Sequence, residues 1–129
     1  MNNNNDLNFL RIDHHSVLSA NKEKSIFFYH TILGLEIDPN RPELAYDGAW
    51  FKLGKQAIHC ICLPNPDPIS ERPKHGGRDR HVALKMLQLQ PLMDRLDDYN
   101  IFYSKSKSGR SAIFFRDPDG NAIEVIEEE

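Results

Sequence analysis

Hydrophobic and polar positions change period several times along the chain, and each change predicts an element. Leu10 to Ser19 reads as a strand, although its alternation gives neither parity a clean apolar side. Asn21 is placed to cap a helix running to about Leu33. Ile26, Tyr29 and Leu33 fall at helical spacing, and Gly34 stands where a helix terminator is expected. Leu35 to Asp38 predicts a short strand stopped by Pro39, and Ala49 to Leu53 and Ala57 to Leu63 predict two more. Pro64 to Gly77 has no periodicity and is rich in proline and charge, so it reads as a connecting loop.

The pattern then repeats. His81 to Leu87 predicts a strand, Pro91 opens a helix with Leu92, Met93, Leu96 and Tyr99 as its apolar stripe, and Ile101 to Ser104, Ser111 to Phe115 and Ala122 to Ile126 predict three strands. Asp117-Pro118-Asp119-Gly120 is a strong turn signal, because proline presets one backbone angle and glycine accepts the positive one. Each half therefore reads strand, helix, strand, strand, strand. His14 and His81 open the two halves, and Ala57-Ile58-His59-Cys60-Ile61 aligns with Ala122-Ile123-Glu124-Val125-Ile126. The expected organisation is one α+β domain over residues 7–129, with modules at about 7–64 and 79–127 and a disordered polar tail at 1–6.

Composition narrows the function classes. The 129 residues carry a net charge of -3, with 40% hydrophobic and 27% charged residues, as in an ordinary globular protein. A pI near 6.1 and the lack of a basic stripe argue against nucleic acid as the main partner. No apolar run reaches the length of a membrane helix, and the start has neither the basic nor the apolar region of a secretory signal, so a cytoplasmic location is expected. Cys60 and Cys62 stand too close in sequence for an ordinary disulfide, which fits a reducing compartment.

The duplication makes certain polar residues informative. It matches His14 with His81 and His59 with Glu124, and such a set of imidazoles and a carboxylate suits a divalent cation: zinc, nickel, cobalt, manganese or iron. Glu124 is the most telling, because a carboxylate in an apolar run needs a partner or a metal. His15 would face away from His14. His30 and His75 read as solvated, and Arg72, Arg78, Arg80 and Arg110 could hold carboxylates or simply be solvated.

Ile12-Asp13-His14, Glu23 to Tyr29 with Leu33-Gly34-Leu35, Arg80-His81-Val82-Ala83-Leu84 and Arg116 to Glu124 together resemble the vicinal oxygen chelate superfamily. This superfamily includes glyoxalase I, fosfomycin-resistance thiol transferases, extradiol dioxygenases and metal-free bleomycin-binding proteins. The resemblance implies two βαβββ modules paired into a cup-shaped mixed sheet with helices outside. It also implies one divalent metal per site, held by His14, His81, Glu124 and a fourth residue. The internal repeat favours His59 for that fourth position; a register slip would put Cys60 there.

The activity implied is that of a glyoxalase-like lyase or isomerase, with Glu124 moving a proton through an enediolate of a small oxygen-chelating substrate, such as a glutathione hemithioacetal. Ser16, Arg110 and Phe114 are then expected to contact substrate. Phe114 stands where thiol transferases carry a tyrosine, and Ala112 where they carry a serine, which ranks that activity lower. The alternatives are a non-haem Fe(II) dioxygenase with two histidines and one carboxylate, and a non-catalytic small-molecule binder. The resemblance further implies a homodimer in which His14 and His59 of one copy meet His81 and Glu124 of the other.

Overall fold

A computed structural model describes residues 5–128. The polar tail expected at 1–6 lies largely outside them, and Asn5–Leu7 form a single 3-10 turn. The first module runs β1 (His14–Leu18), α1 (Lys22–Ile26, continued as a π-helical stretch over Phe27–Ile32), β2 (Glu36–Ile37), β3 (Gly48–Leu53) and β4 (Gln56–Ile61). The second runs β5 (His81–Met86), α2 (Gln90–Asp98), β6 (Tyr103–Lys105), β7 (Ala112–Arg116) and β8 (Ala122–Glu127). A short 3-10 turn at Gly76–Arg78 ends the long connection between them.

Each module makes one four-stranded mixed sheet, ordered β1-β4-β3-β2 and β5-β8-β7-β6. In both, the first and last strands are parallel and the other pairs antiparallel. This is the α+β, paired-module architecture expected. The registers carry the duplication to single residues. His14 pairs with Ala57 and Ser16 with His59; His81 pairs with Ala122 and Ala83 with Glu124. His59 and Glu124 therefore occupy equivalent positions, each two residues along from the point opposite its module's leading histidine.

Three elements differ from the sequence expectation. β1 starts at His14 rather than Leu10, and Phe9, Leu10 and Ile12 are exposed. The helix after Asn21, whose side chain accepts from the Lys24 amide at 3.0 Å, changes to π geometry halfway; the Leu33 amide reaches back to the Phe28 carbonyl at 3.0 Å, and Gly34 then turns the chain at φ +78°. β6 starts at Tyr103 rather than Ile101. The Ile101 amide instead caps α2 through the Leu96 carbonyl at 2.8 Å, after Asn100 takes a positive φ of 57°.

The two sheets share one core. Phe51, Ile58 and Cys60 from the first sheet and Ile113, Phe115 and Ile123 from the second meet Phe28, Tyr29, Ile32, Leu92 and Leu96 of the helices. Polar clasps fix the joint. Tyr29 donates to Asp117 Oδ2 at 2.6 Å, the Ala20 amide to Asp119 Oδ1 at 2.9 Å, and Arg95 to the Ile32 carbonyl at 3.0 Å. The Asp-Pro-Asp-Gly turn therefore reverses the chain and also latches one module to the other. Burial pushes the Asp117 carboxyl above its ordinary value, against the hydrogen bonds from Tyr29 and Asn121, and pushes the Tyr29 phenol well above its own. Since the helices and core take one face of each sheet, strand alternation turns His14, His59, His81 and Glu124 to the other. Among the described residues no helix is long and apolar enough to cross a membrane.

Candidate metal centre

The open face of the first sheet carries a three-ring stack across β1, β4 and β3. His59 lies between His14, at 3.9 Å between centroids, and Trp50, at 4.1 Å and nearly coplanar in orientation. Trp50 is the residue directly opposite His59 across the β3–β4 ladder, the position from which cross-strand side chains meet. His14 Nδ1 donates to Asp13 Oδ2 at 2.8 Å, which leaves Nε2 as the free ring nitrogen. Burial lowers the His59 pKa, and the nearby His14 lowers it further, so the neutral, ligating form is favoured. Cys60 points the opposite way and is fully buried in the core, where burial pushes its thiol up.

The open face of the second sheet carries the other pair. His81 Nε2 lies 3.2 Å from Glu124 Oε1, and Arg110 donates to Glu124 Oε2 at 3.0 Å. Glu124 is 4% exposed, and the Arg110 guanidinium meets its charge. His81 Nδ1 donates to the Asp79 carbonyl at 2.8 Å, which turns Nε2 towards Glu124. Phe114 lies opposite Glu124 in the β7–β8 ladder and meets the His81 ring edge-on at 5.4 Å.

The structure thus brings the four residues together as two pairs, one on each sheet. Among the described residues, no group of three or more histidine, cysteine, aspartate or glutamate side chains is assembled to hold a metal within one chain. The donor chemistry of each pair nonetheless fits a divalent cation. Two histidines present Nε2 with Nδ1 tied to an oxygen acceptor, the arrangement that orients ligating imidazoles, and the carboxylate is buried beside one of them.

The remaining candidates divide. Ser16 lies on the open face opposite His59. His15 is half-buried on the helix side, and burial lowers its pKa. His30 is exposed and donates to the Leu35 carbonyl at 2.7 Å. His75, expected in solvent, packs on Phe114 at 4.7 Å because the loop folds back over the second sheet. Arg72 and Arg80 are committed within the chain, to Asp79 at 2.9 Å and to Asp67 respectively.

Two residues escaped the sequence reading. Trp50 could have been found from its position opposite His59 once β3 and β4 were paired. Arg41 lies in the irregular segment after Pro39, where no periodicity marks it. Its Nη2 donates to the Tyr46 carbonyl at 2.8 Å, and its guanidinium lies over Gly48, two residues before Trp50.

Residues 11–125 match the Glyoxalase/Bleomycin resistance protein/Dioxygenase superfamily. The chain is 30% identical over 127 residues to Glyoxylase I 4 of Arabidopsis thaliana, covering 94% of this chain and 72% of the relative. It is 24% identical over 117 residues to Glutathione transferase FosA of Serratia marcescens, covering 88% and 78%. A solved Bacillus anthracis structure described as a glyoxalase family protein superposes with a TM-score of 0.76 at 28% identity, covering 95% of this chain and 98% of that one.

Proposed function

The chain belongs to the Glyoxalase/Bleomycin resistance protein/Dioxygenase superfamily, and on that premise we propose that it is a divalent-metal-dependent lyase or isomerase of the glyoxalase type. It acts as a homodimer on a small substrate with two adjacent oxygens. The observation that carries the reading is the register equivalence of His59 and Glu124, each beside a leading histidine on the open face of its sheet. A second copy laid across these faces brings His14 and His59 of one chain to His81 and Glu124 of the other, which completes a four-residue set. Covering the open sheets in this way also takes their apolar and aromatic surface out of water.

Zinc, nickel, cobalt, manganese or iron would be held by His14, His59, His81 and Glu124. When bound, the cation would supply Lewis-acid stabilisation of the negative charge left on substrate oxygen as the carbon-bound proton leaves. The chain's own groups do the rest. Asp13 and the Asp79 carbonyl hold the two leading imidazoles in the Nδ1–H tautomer, so that Nε2 faces the site. Glu124 is the general base that takes the proton from one carbon and returns it to its neighbour. Phe114 and the loop at His75 keep water from the proton in transit. Ser16 and Arg110 contact the substrate at the rim. A glutathione hemithioacetal is the first substrate to try, given the named relative in Arabidopsis thaliana.

The test is metal titration of metal-stripped protein, read by elemental analysis and by the fluorescence of Trp50, the chain's single tryptophan. The expected result is about one metal per chain, affinity lowered at least about tenfold in His59→Ala, and hemithioacetal turnover that requires the metal. Iron retained in full by His59→Ala would instead favour the dioxygenase. Failure to bind any divalent cation would overturn the proposal and leave a binding protein.

A further inference from the structure

We infer that Arg41 is the recognition group for a carboxylate on the substrate's own carbon chain, so that this site takes an acidic oxygen-chelating substrate. The inference rests on the metal-site reading above and names the substrate class for it. Residues 48, 50 and 52 share one face of β3, the face on which Trp50 stacks against His59. Gly48 has no side chain there, and the Arg41 Nη2 stands 3.2 Å from where its β-carbon would be. The guanidinium therefore lies beside Gly48, about 7 Å along the strand from Trp50.

The bonding of Arg41 is unfinished. Nη2 is used by the Tyr46 carbonyl, and the guanidinium carbon lies 5.9 Å from the Tyr46 ring centre, contacts that hold the group in place. Its Nε is buried without a hydrogen-bond partner, and among the described residues no carboxylate comes within ion-pair distance of Arg41. A buried unpaired donor on a cation is costly, and a planar carboxylate satisfies a guanidinium edge. The neighbouring cations are already neutralised: Lys22 by Asp47 at 3.3 Å and Lys52 by Glu36 at 3.7 Å. A single guanidinium charge matches a carboxylate better than a dianionic phosphate. The short step from Arg41 to the histidines suits a carboxylate a few carbons from the chelating oxygens, and the more distant carboxylates of a glutathione adduct fit it less well.

The test uses nitrogen-15-labelled protein, metal-free and zinc-loaded, and reads the Arg41 Nε–H resonance together with Trp50 fluorescence. Metal-free protein is titrated with succinate and with succinamide. Zinc-loaded protein is titrated with succinic monohydroxamate, with acetohydroxamate and with S-methylglutathione. The expected result is a saturable shift of the Nε–H signal with succinate and succinic monohydroxamate, and none with succinamide or acetohydroxamate. Arg41→Gln should bind both carboxylate probes at least about tenfold more weakly, with zinc and acetohydroxamate affinities unchanged, and Arg41→Lys should recover part of the loss.

Equal binding of succinate and succinamide, or unchanged succinate binding in Arg41→Gln, would overturn the inference. A shift with S-methylglutathione alone would also overturn it, by assigning the carboxylate to the thiol carrier. Should Arg41→Gln fail to fold, the Nε–H response of the unsubstituted protein decides by itself. Failure of zinc to bind would defeat the metal-site proposal while the succinate comparison on metal-free protein still reads Arg41.

Discussion

Asp79 stands two residues before His81 and ties the long connecting loop to the second sheet. Its Oδ2 accepts from Arg72 Nε at 2.9 Å and from Arg116 Nη1 at 2.8 Å, and its Oδ1 accepts from the Arg80 amide at 2.8 Å. Burial alone would raise its pKa, but the hydrogen bonds from Arg116 and Arg72 outweigh that and hold it at about 2 instead of 3.8. A carboxylate depressed in the folded state stabilises the fold fully above its unfolded value. That contribution is lost as pH falls from about 3.8 towards 2. The gap corresponds to about 2 kcal/mol at neutral pH, within the range of about 1.5–3 kcal/mol for hydrogen bonds to charged groups.

Asp79→Asn keeps the shape and removes the charge, so it should lower stability by about 2 kcal/mol at pH 7. Urea unfolding at one fixed protein concentration, repeated down a pH series to 3, measures this. The deficit should shrink at the acid end as the unsubstituted protein loses its own advantage. A deficit below about 0.5 kcal/mol at pH 7, or one constant across the series, would mean that the Arg72 and Arg116 bonds to Asp79 do not stabilise the fold. His81 is held by the Asp79 carbonyl rather than its carboxylate, so metal capture by the folded variant should be preserved.

Further outcomes follow from the joint and the strand pairing. Tyr29→Phe removes the 2.6 Å bond to buried Asp117 and should cost about 2 kcal/mol in chemical denaturation; a neutral effect would mean that the latch between the modules is not stabilising. Gly48→Ala drives a β-carbon into the Cys60 carbonyl of the paired strand. It should cost more than about 2 kcal/mol in a thermal melt, whereas Gly54→Ala, which meets nothing within 4 Å but strains a φ of +60°, should cost only about 1 kcal/mol.

The elements that the sequence made legible are those whose own periodicity decides them. Asn21 caps its helix as its side chain dictates, and α2 follows from Pro91 and the Leu92–Leu96 stripe. The equivalence of His59 and Glu124 was visible from the aligned segments before any register was known. What escaped depends on partners distant in sequence. Phe9, Leu10 and Ile12 look strand-forming, yet pairing begins only at His14. The π stretch over Phe27–Ile32 replaces a regular helix where Phe28, Tyr29 and Ile32 must reach the shared core. Asp117 and Asp119 read as turn residues, and their second task, binding Tyr29 and Ala20 of the other module, lies across about a hundred residues of chain. Arg41 escaped for the same reason, because only the pairing of β3 places Gly48 beneath it.

If each site is completed by two copies, two variants that each lack a different half of it should complement one another. One variant carries His14→Ala and His59→Ala, the other His81→Ala and Glu124→Gln. Each alone should fail to bind zinc tightly. Mixed in equal amounts and allowed to exchange subunits, half of the dimers would be mixed and each would hold one intact site, giving about a quarter of the unsubstituted zinc capacity. Recovery near that level, seen by Trp50 fluorescence and by bound zinc, is expected of a shared site. No recovery in verified mixed dimers, or tight zinc binding by a monomer, would contradict it.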